Sequence, residues 1–153
     1  MTLAVGDKSP AFKGMTAEGS LSLKDLKGSN IVLYFYPKDA TPGCTLEACA
    51  FRDMLPRFKR MDAKVFGVSK DDLKSHEKFA NKYELPFTLI SDGDGSICES
   101  FGVWGEKSMY GKKYMGIERA TYLIDKAGVI RNIWRKVKVT GHAEEVLNSV
   151  KNL

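Results

Sequence analysis

The chain contains few of the residues that cross-link small proteins through disulfides or bind metal ions. Its 153 residues include three cysteines and two histidines. Three cysteines leave at least one thiol unpaired, which excludes a disulfide framework and favours a reducing compartment. No Cys-x-x-Cys occurs, which argues against a dithiol reductase of the thioredoxin type and against a zinc ribbon. His76 and His142 have no neighbouring ligand spacing, so we expect no metal site.

One acidic stretch, Asp92-Gly93-Asp94-Gly95-Ser96, resembles the start of a calcium-binding loop. Such a loop needs glycine at its sixth position and glutamate at its twelfth. This chain has Ile97 and Val103 there. We therefore expect a turn at this point and no cofactor of any kind.

Long apolar runs and a secretory signal are also missing. No apolar run approaches the roughly 18 residues that span a bilayer. The stretch 1–6 contains no basic region followed by an apolar segment. We therefore expect no membrane association and a cytoplasmic location. There is no repeat and no long Pro/Gly/Ser linker, so residues 1–153 are expected to form a single domain.

The charge is modestly basic, with 24 lysines and arginines against 19 acidic residues and a formal net charge of +5. The densest basic cluster alternates with apolar residues over 131–139. Its basic members are Arg131, Arg135, Lys136 and Lys138, and the interleaved apolar residues are Ile133, Trp134, Val137 and Val139. Alternation of this kind is typical of a half-solvated strand. We favour that interpretation and expect no nucleic-acid binding, although a docking surface for an acidic partner stays open as the alternative.

Apolar periodicity predicts strands and helices that alternate along the chain. The predicted strands are 31–36, 64–69, 87–90, 121–124 and 129–135, and the helices are 42–60, 71–83, 95–101 and 141–153. A hairpin is predicted over 12–23, with Glu18-Gly19 in its middle. This order predicts an α/β fold in which a mixed central sheet is covered by helices on both faces and preceded by an N-terminal hairpin.

Two helix boundaries can be predicted from single residues. Pro56 lies inside the 42–60 pattern and should kink or end that helix near Leu55. Asp71 or Ser69 is the expected cap of the helix over 71–83. The 42–60 helix should bury a stripe spaced by three and four residues, which consists of Cys44, Ala48, Phe51, Leu55 and Phe58.

Cys44 falls where the 31–36 strand gives way to the 42–60 helix. The backbone N–H groups of a first helical turn have no helical partners, and the aligned peptide dipoles make that end positive. Both effects favour thiolate over thiol, and the thiolate is the reactive form of cysteine. The position of Cys44 therefore predicts a reactive sulfur.

Cys49 follows five residues later on the same predicted helix. Five helical residues separate two Cα atoms by about 8 to 9 Å, with side chains diverging by roughly 140°. A disulfide tolerates at most about 7 Å, so Cys44 and Cys49 can pair only if the first turn unwinds. The spacing predicts a redox switch with a conformational step. The alternative, two unpaired cysteines buried as small hydrophobic residues, stays open at this point.

The pattern Pro37-x-x-x-Thr41-x-x-Cys44 resembles the active-site signature of the peroxiredoxins. The longer stretches 41–45 and 47–53 are similar to the bacterioferritin-comigratory (PrxQ-type) branch, which is an atypical two-cysteine branch. Further family landmarks are the stretches 5–12, 89–92 and 118–125, so the resemblance covers nearly the whole chain. It implies a thioredoxin-like fold and a thiol peroxidase that reduces hydrogen peroxide and organic (alkyl) hydroperoxides.

The resemblance also implies roles for individual residues. Cys44 would attack the peroxide and become a sulfenic acid, and Arg119 would lie against the thiolate and hold the peroxide. Thr41 would handle the peroxide's proton and oxygen, Pro37 would shield the site, and Glu47 would orient Arg119. From the residues alone, a surface salt bridge is the favoured interpretation of Arg119, while Thr41 is a candidate helix cap and Glu47 could equally be a plain first-turn carboxylate.

Cys49 is the proposed resolving thiol, and Cys98, on the short helix predicted over 95–101, is its rival. The resemblance points to thioredoxin as the reductant. An internal disulfide predicts a monomer. No Gly-Gly-Leu-Gly or C-terminal Tyr-Phe element is present, so we expect resistance to overoxidation. Two other functions stay open: a redox-sensing or holdase-type interaction protein, and a basic nucleic-acid-associated protein with a structural cysteine pair.

Overall fold

A seven-stranded mixed sheet forms the centre of the computed structural model, which describes residues 2–153. In chain order the strands are β1 (Lys13–Thr16), β2 (Gly19–Ser22), β3 (Asn30–Phe35), β4 (Ala63–Ser69), β5 (Thr88–Ser91), β6 (Trp104–Met109), β7 (Lys112–Ile117), β8 (Ala120–Ile124) and β9 (Ile130–Trp134). The α-helices are α1 (Pro42–Arg60), α2 (Leu73–Tyr83), α3 (Ser96–Ser100) and α4 (His142–Lys151), and Leu23–Leu26 forms a short 3₁₀ helix.

The strand order is β2-β1-β5-β4-β3-β8-β9. Strands β3, β4 and β5 run parallel, and the remaining pairs are antiparallel. The predicted N-terminal hairpin is confirmed as β1 and β2, and β1 also joins the sheet through β5. Parallel strands need helical crossovers, which explains why helices separate β3, β4 and β5 in the sequence.

Strand β3 lies in the middle of the sheet and is buried along its whole length. Its side chains alternate between the two faces. Val32 and Tyr34 join a core with buried residues of α1, α2 and α4, whereas Leu33 and Phe35 join a second core with residues of α3 and the 3₁₀ helix. Burial on both sides explains the continuous apolar run that predicted this strand. The expected cover on both faces is confirmed.

Helix α1 continues through Pro56 to Arg60, which confirms the predicted bounds 42–60 and shows that Pro56 does not end the helix near Leu55; the alternative of a kink there stays a prediction. Pro56 is exposed to solvent, and the carbonyl that its missing N–H leaves without a helical partner belongs to Arg52, four residues earlier. Phe58, two residues beyond the proline, is fully buried in the core. Burial of Phe58 holds the last turn in helical form. The predicted buried stripe of α1 is confirmed, with Glu47 added to it.

The cap of α2 is also different from the prediction. Asp72 is the N-cap residue, and its side chain accepts a hydrogen bond from the Ser75 backbone N–H at 2.8 Å. The Asp71 carboxylate accepts instead from the backbone N–H of Asp39 and the hydroxyl of Ser69. Because Asp71 is occupied in this way, the capping position falls one residue later. None of the helices within residues 2–153 combines the length and the apolar character needed to cross a membrane.

The hairpin of β6 and β7 was not predicted from the sequence. Its two strands pair with each other outside the main sheet. The turn consists of Tyr110 and Gly111, which both have positive φ, at 52° and 78°. Most of the hairpin's side chains are at least partly exposed, so its strands lack the clean apolar alternation that marks a half-buried strand.

The basic segment 131–139 is a strand only as far as Trp134. Lys136 has a φ of 47° and lies beyond the strand end, so the alternation over 135–139 does not belong to the sheet. The cationic side chains at 131, 135 and 136 are exposed. Arg131 pairs with Asp125 at 3.2 Å, and Arg135 pairs with Glu118 at 2.6 Å.

Candidate active site

Cys44 lies in the first turn of α1, at the carboxyl end of the parallel strand β3. Thr41 is the N-cap residue, Pro42 is the first helical residue, and Cys44 is the third. Proline is well suited to the first helical position because its missing N–H would have no partner there. The Cys44 side chain is buried, with 1% of its surface exposed. Reactive groups of open α/β sheets collect at this edge.

Arg119 reaches the sulfur from the other end of the sequence. It lies directly before β8, whose neighbour β3 leads into the Cys44 loop. Its Nη2 donates to Cys44 Sγ at 3.3 Å, and its Nη1 donates to Glu47 Oε1 at 2.7 Å. The guanidinium therefore bridges two side chains of α1, and the alternative of a plain surface salt bridge is wrong. Three of the sequence-predicted residues meet at this point.

Glu47 is the most constrained member of the group. It is 1% exposed, and its Oε2 has no hydrogen-bond partner among the described residues. Burial raises the pKa of Glu47 to about 7, although the nearby Arg119 acts in the opposite direction. Burial also lowers the pKa of Arg119, but the charges of Glu47 and Cys44 outweigh that effect and raise it above its ordinary value. Arg119 is thus held as a cation beside the sulfur.

Gly43 provides the space for this contact. A Cβ atom added at Gly43 would lie 3.2 Å from Arg119 Nη2, which is closer than such atoms normally approach. A side chain at this position would therefore make the guanidinium shift by a few tenths of an ångström. The sequence-based prediction assigned no role to Gly43, because a glycine inside an active-site motif carries no signal of what it makes room for.

Thr41 and Pro37 belong to the segment between β3 and α1 that leads into the Cys44 turn. The Thr41 hydroxyl makes no capping bond to the helix and donates instead to the Lys38 carbonyl at 2.8 Å. Thr41 thus occupies the N-cap position without the side-chain bond that normally defines a cap. Pro37 is half-buried and follows Tyr36 directly after the end of β3.

Cys49 lies five residues beyond Cys44 on the same unbroken helix. It is half-buried, and all three cysteines are free thiols. Helical geometry keeps the two Cα atoms about 8 to 9 Å apart, beyond disulfide reach. The two cysteines thus lie on an intact helix, as assumed by the prediction that they can pair only when its first turn unwinds.

Cys98, the rival resolving thiol, is fully buried in α3. Burial and the adjacent Asp92 carboxylate raise the pKa of the Cys98 thiol far above its ordinary value. Asp92 also accepts the backbone N–H groups of Ile97 and Cys98 at 3.0 and 2.8 Å. A buried thiol against a carboxylate is a poor nucleophile.

Within residues 2–153, one group has the composition of a metal-binding cluster, and it consists of Asp39, Asp71 and His76. Protein partners occupy its ligand atoms. His76 Nδ1 contacts Asp39 Oδ2 at 2.7 Å, and His76 Nε2 contacts the Ile90 carbonyl at 3.1 Å. These contacts explain the cluster without a metal ion. Sequence reasoning assigned no role to Asp39, although it lies inside the quoted motif, or to His76.

Comparison with known proteins gives a consistent result. The profile of the AhpC/TSA family matches residues 5–133. Peroxiredoxin Bcp of Bacillus subtilis (strain 168) is 50% identical over 155 residues, which cover 100% of this chain and 98% of that protein. Peroxiredoxin Bcp of Escherichia coli (strain K12) is 43% identical over 150 residues, covering 97% and 96%.

Solved structures agree with the sequence relatives. A cysteine-to-serine mutant of Xylella fastidiosa PrxQ matches with a TM-score of 0.93 at 42% identity, covering 99% of this chain and 98% of that one. The bacterioferritin comigratory protein of Xanthomonas campestris, described for its alkyl peroxide reduction activity, matches with a TM-score of 0.87 at 45% identity, covering 92% and 90%. These neighbours confirm the thioredoxin-like fold.

Three findings indicate the same family. They are a family profile that spans most of the chain, relatives that match over their full length, and a cysteine–arginine pair at the start of a helix. The chain belongs to the AhpC/TSA family and is a peroxiredoxin of the Bcp/PrxQ type, a peroxidase of the oxidoreductase class.

Proposed function

We propose that this chain reduces hydrogen peroxide and alkyl hydroperoxides through a sulfenic acid on Cys44. The thiolate attacks one peroxide oxygen, the O–O bond breaks, and the other oxygen leaves with a proton as water or an alcohol. Sulfur is oxidised to Cys44–SOH while the peroxide is reduced. The observation that carries this proposal is the 3.3 Å contact of Arg119 Nη2 with Cys44 Sγ in the first turn of α1.

Charge stabilisation is the main contribution of the protein in this mechanism. Negative charge spreads over the sulfur and both oxygens in the transition state, so fixed donors along that axis lower the barrier. Arg119 supplies a permanent cation, and the start of α1 supplies unpaired N–H groups. Glu47 holds the second arm of the guanidinium at 2.7 Å and thereby orients it.

Thr41 is proposed to accept a hydrogen bond from the O–H group of the peroxide. Because its hydroxyl hydrogen is directed at the Lys38 carbonyl, the Thr41 oxygen has lone pairs left to accept a hydrogen bond. Pro37 presents no N–H and is proposed to shield the sulfur from water. The substrate range follows the Xanthomonas campestris relative, which is described for alkyl peroxide reduction.

The second half of the proposed cycle forms a disulfide between Cys44 and Cys49. The Cys49 thiol attacks the sulfenic acid, an S–S bond forms, and water leaves. The first turn of α1 must unwind for this step, because the intact helix keeps the two thiols apart. Thioredoxin is the proposed reductant that reopens the disulfide by dithiol exchange. The cycle suits a monomer, since the disulfide forms within one chain. It also suits the cytoplasm, since a reducing compartment maintains the reductant that reopens the disulfide.

The test is peroxide titration with disulfide mapping on wild type, Cys44→Ser and Cys49→Ser. Wild type should form the 44–49 disulfide and lose far-UV helicity, Cys49→Ser should accumulate sulfenic acid on Cys44, and Cys44→Ser should consume no peroxide with thioredoxin. Cys44 pairing with Cys98 or with another chain would refute the resolving role of Cys49. A Cys44 thiol left unmodified would refute the mechanism. Ready formation of sulfinic acid at modest peroxide excess would refute the expected resistance to overoxidation.

A further inference from the structure

A buried hydrogen-bonded network joins the loop before α1 to helix α2. Its centre is Asp39, which lies five residues before Cys44 and is 6% exposed. The Asp39 carboxylate accepts from the hydroxyl of Tyr36 at 2.6 Å and from the hydroxyl of Ser75 at 2.8 Å. It also contacts His76 Nδ1 at 2.7 Å. No atom of this network takes part in the proposed chemistry at Cys44.

The nearest partner of each His76 ring nitrogen is an oxygen that can only accept, and the Tyr36 hydroxyl, 3.5 Å from Nδ1, donates its hydrogen to Asp39. Nδ1 faces the Asp39 carboxylate at 2.7 Å, and Nε2 faces the Ile90 backbone carbonyl at 3.1 Å. A neutral imidazole has one N–H and would leave one of these contacts without a hydrogen, whereas the cation donates from both nitrogens. The geometry therefore indicates a doubly protonated ring, paired with an ionised Asp39.

The surroundings of the ring are rich in acceptors. Burial alone would raise the pKa of Asp39, but the hydrogen bonds from His76 and Tyr36 hold it below its ordinary value. The titratable side chains that contact His76 or complete its acidic cluster are Asp39, Asp71 and Tyr36. The exposed Glu18 and Glu77 line a surface pocket beside His76, and the exposed Lys74, Lys78 and Lys82 line another beside Asp39.

Asp39 is well placed to control the Cys44 turn. Four residues separate Asp39 from Cys44, and the first of them, Ala40, has a φ of 64°, a conformation that is strained for a residue with a Cβ atom. The Asp39 backbone N–H is also fixed, by Asp71 Oδ2 at 2.8 Å. Both the side chain and the backbone of Asp39 are thus anchored to residues outside the loop.

We propose that the Asp39–His76 ion pair is a latch that holds the 37–41 loop against α2 and sets how readily the first turn of α1 unwinds. This role rests on the proposed function only in its last clause, because unwinding matters for a 44–49 disulfide. His76 is a positioning residue in this proposal and does not touch the peroxide. Breaking a buried pair on one side leaves an uncompensated charge, so loss of His76 should release the loop.

The latch predicts opposite effects on two steps. Releasing the loop should slow the attack of Cys44 on peroxide, since the folded turn holds the sulfur against Arg119. It should accelerate the conversion of sulfenic acid to disulfide, since that step requires the unwound turn. A general loss of stability is not expected to slow the peroxide step and accelerate disulfide formation at the same time.

The first test is the protonation state of His76 in the reduced wild-type protein. The chain contains two histidines, so nitrogen NMR of the labelled protein at pH 7.5 can be assigned by comparison with His76→Phe. The expected result is N–H signals on both ring nitrogens of His76. A ring with one N–H would overturn the latch as an ion pair. This result does not depend on any peroxidase assay.

The second test separates the two rates by quenched single turnovers with trapping and mass spectrometry. In His76→Phe, disulfide formation should be faster by about tenfold or more and the peroxide step slower, while His76→Gln, which keeps a donor toward Asp39 without the charge, should lie between. The matched control is Tyr122→Phe, which removes a buried hydrogen bond to the Phe101 carbonyl remote from the loop and should leave the ratio of rates unchanged.

The outcomes distinguish the latch from the proposed function. Unchanged or slower disulfide formation in His76→Phe overturns the latch. Absence of a 44–49 disulfide in wild type refutes the resolving step itself. In that case the NMR measurement and the slower peroxide step still decide whether His76 holds the loop.

Discussion

Among individual side chains, Glu47 has the least favourable environment in the site. It is buried, one of its oxygens has no partner among the described residues, and burial raises its pKa from 4.5 to about 7. Because the folded protein then binds more protons than the unfolded chain between these values, stability falls as pH rises through this window. The contribution of Glu47 to stability is therefore largest below pH 4.5 and smallest above pH 7.

Glu47→Gln should consequently gain stability relative to wild type as the pH rises. Between about pH 5 and 8 the difference in free energy of unfolding should move toward the variant by about 2 to 3 kcal/mol, because glutamine has no charge to desolvate. Urea denaturation at several pH values measures this. The control is Glu118→Gln, since hydrogen bonds from Arg135 outweigh burial and lower the pKa of Glu118, so its slope above about pH 5 should be flat. A flat profile for Glu47→Gln would contradict the raised pKa.

Gly43→Ala should separate catalysis from stability. The new Cβ would lie 3.2 Å from Arg119 Nη2 and would make the guanidinium shift by a few tenths of an ångström relative to the sulfur. We expect kcat/KM for peroxide to fall by about tenfold, equivalent to about 1.4 kcal/mol, with only a small change in Tm, because the helix propensity of alanine offsets the cost of shifting the guanidinium that pairs with Glu47. Gly93→Ala is the control, since a Cβ there meets nothing within 4 Å. Unchanged kcat/KM in Gly43→Ala would count against the role of Arg119.

Helix α1 contains a proline that it tolerates only because of what surrounds it. Pro56 faces solvent and Phe58 is fully buried, so packing of the final turn compensates for the missing hydrogen bond to the Arg52 carbonyl. Sequence rules for proline treat the helix as isolated. Tertiary packing commonly overrides such local preferences, which is why α1 reaches Arg60 and Pro56 does not end it near Leu55.

Pro56→Ala should therefore stabilise the protein. The substitution restores an N–H donor to the Arg52 carbonyl and removes the ring from the helix, and we expect a gain of about 1 to 3 kcal/mol in the free energy of unfolding. Denaturant titration measures the gain. Pro42→Ala serves as the comparison, because a proline at the first helical position costs no hydrogen bond and its replacement should not stabilise. A loss of stability in Pro56→Ala would contradict this account.

At the scale of the whole molecule, two hydrophobic cores lie on opposite faces of the sheet and support different elements. Phe51 lies in the core beneath α1, where it stacks on Tyr34 at a centroid distance of 4.7 Å. Phe101 lies in the other core, where it packs edge-on against Tyr122 at 4.9 Å. The first core supports the helix that carries Cys44, whereas the second supports the face away from that helix.

Phe51→Ala and Phe101→Ala should thus lose similar amounts of stability but differ in their effect on kcat/KM for peroxide. Each should lose about 3 to 5 kcal/mol in the free energy of unfolding, because each empties a packed aromatic site. Only Phe51→Ala should lower kcat/KM for peroxide under conditions where both variants are folded, since it loosens α1 beneath Glu47 and Cys44. Equal losses of activity in both variants would show that the two cores are not separable.

Much of the architecture follows from local sequence. The run over 31–36 is apolar at every position, so it forms a strand buried on both faces. Periodic apolar residues and Pro42 place a helix start just before Cys44, because capping and periodicity act over a few residues. The motif therefore located the sulfur, and family resemblance supplied Arg119 as its neighbour. The exposed β6–β7 hairpin escaped prediction because its sequence lacks a buried face.

The contacts that complete the site are long-range. Arg119 meets Cys44 because β8 pairs with β3, and His76 meets Asp39 because α2 packs beside the loop before α1. Strand order and helix packing bring these partners together across 75 and 37 residues, and no local pattern encodes such a choice. The same packing buries Glu47 and shifts its pKa, since desolvation depends on what the remainder of the chain places around a side chain.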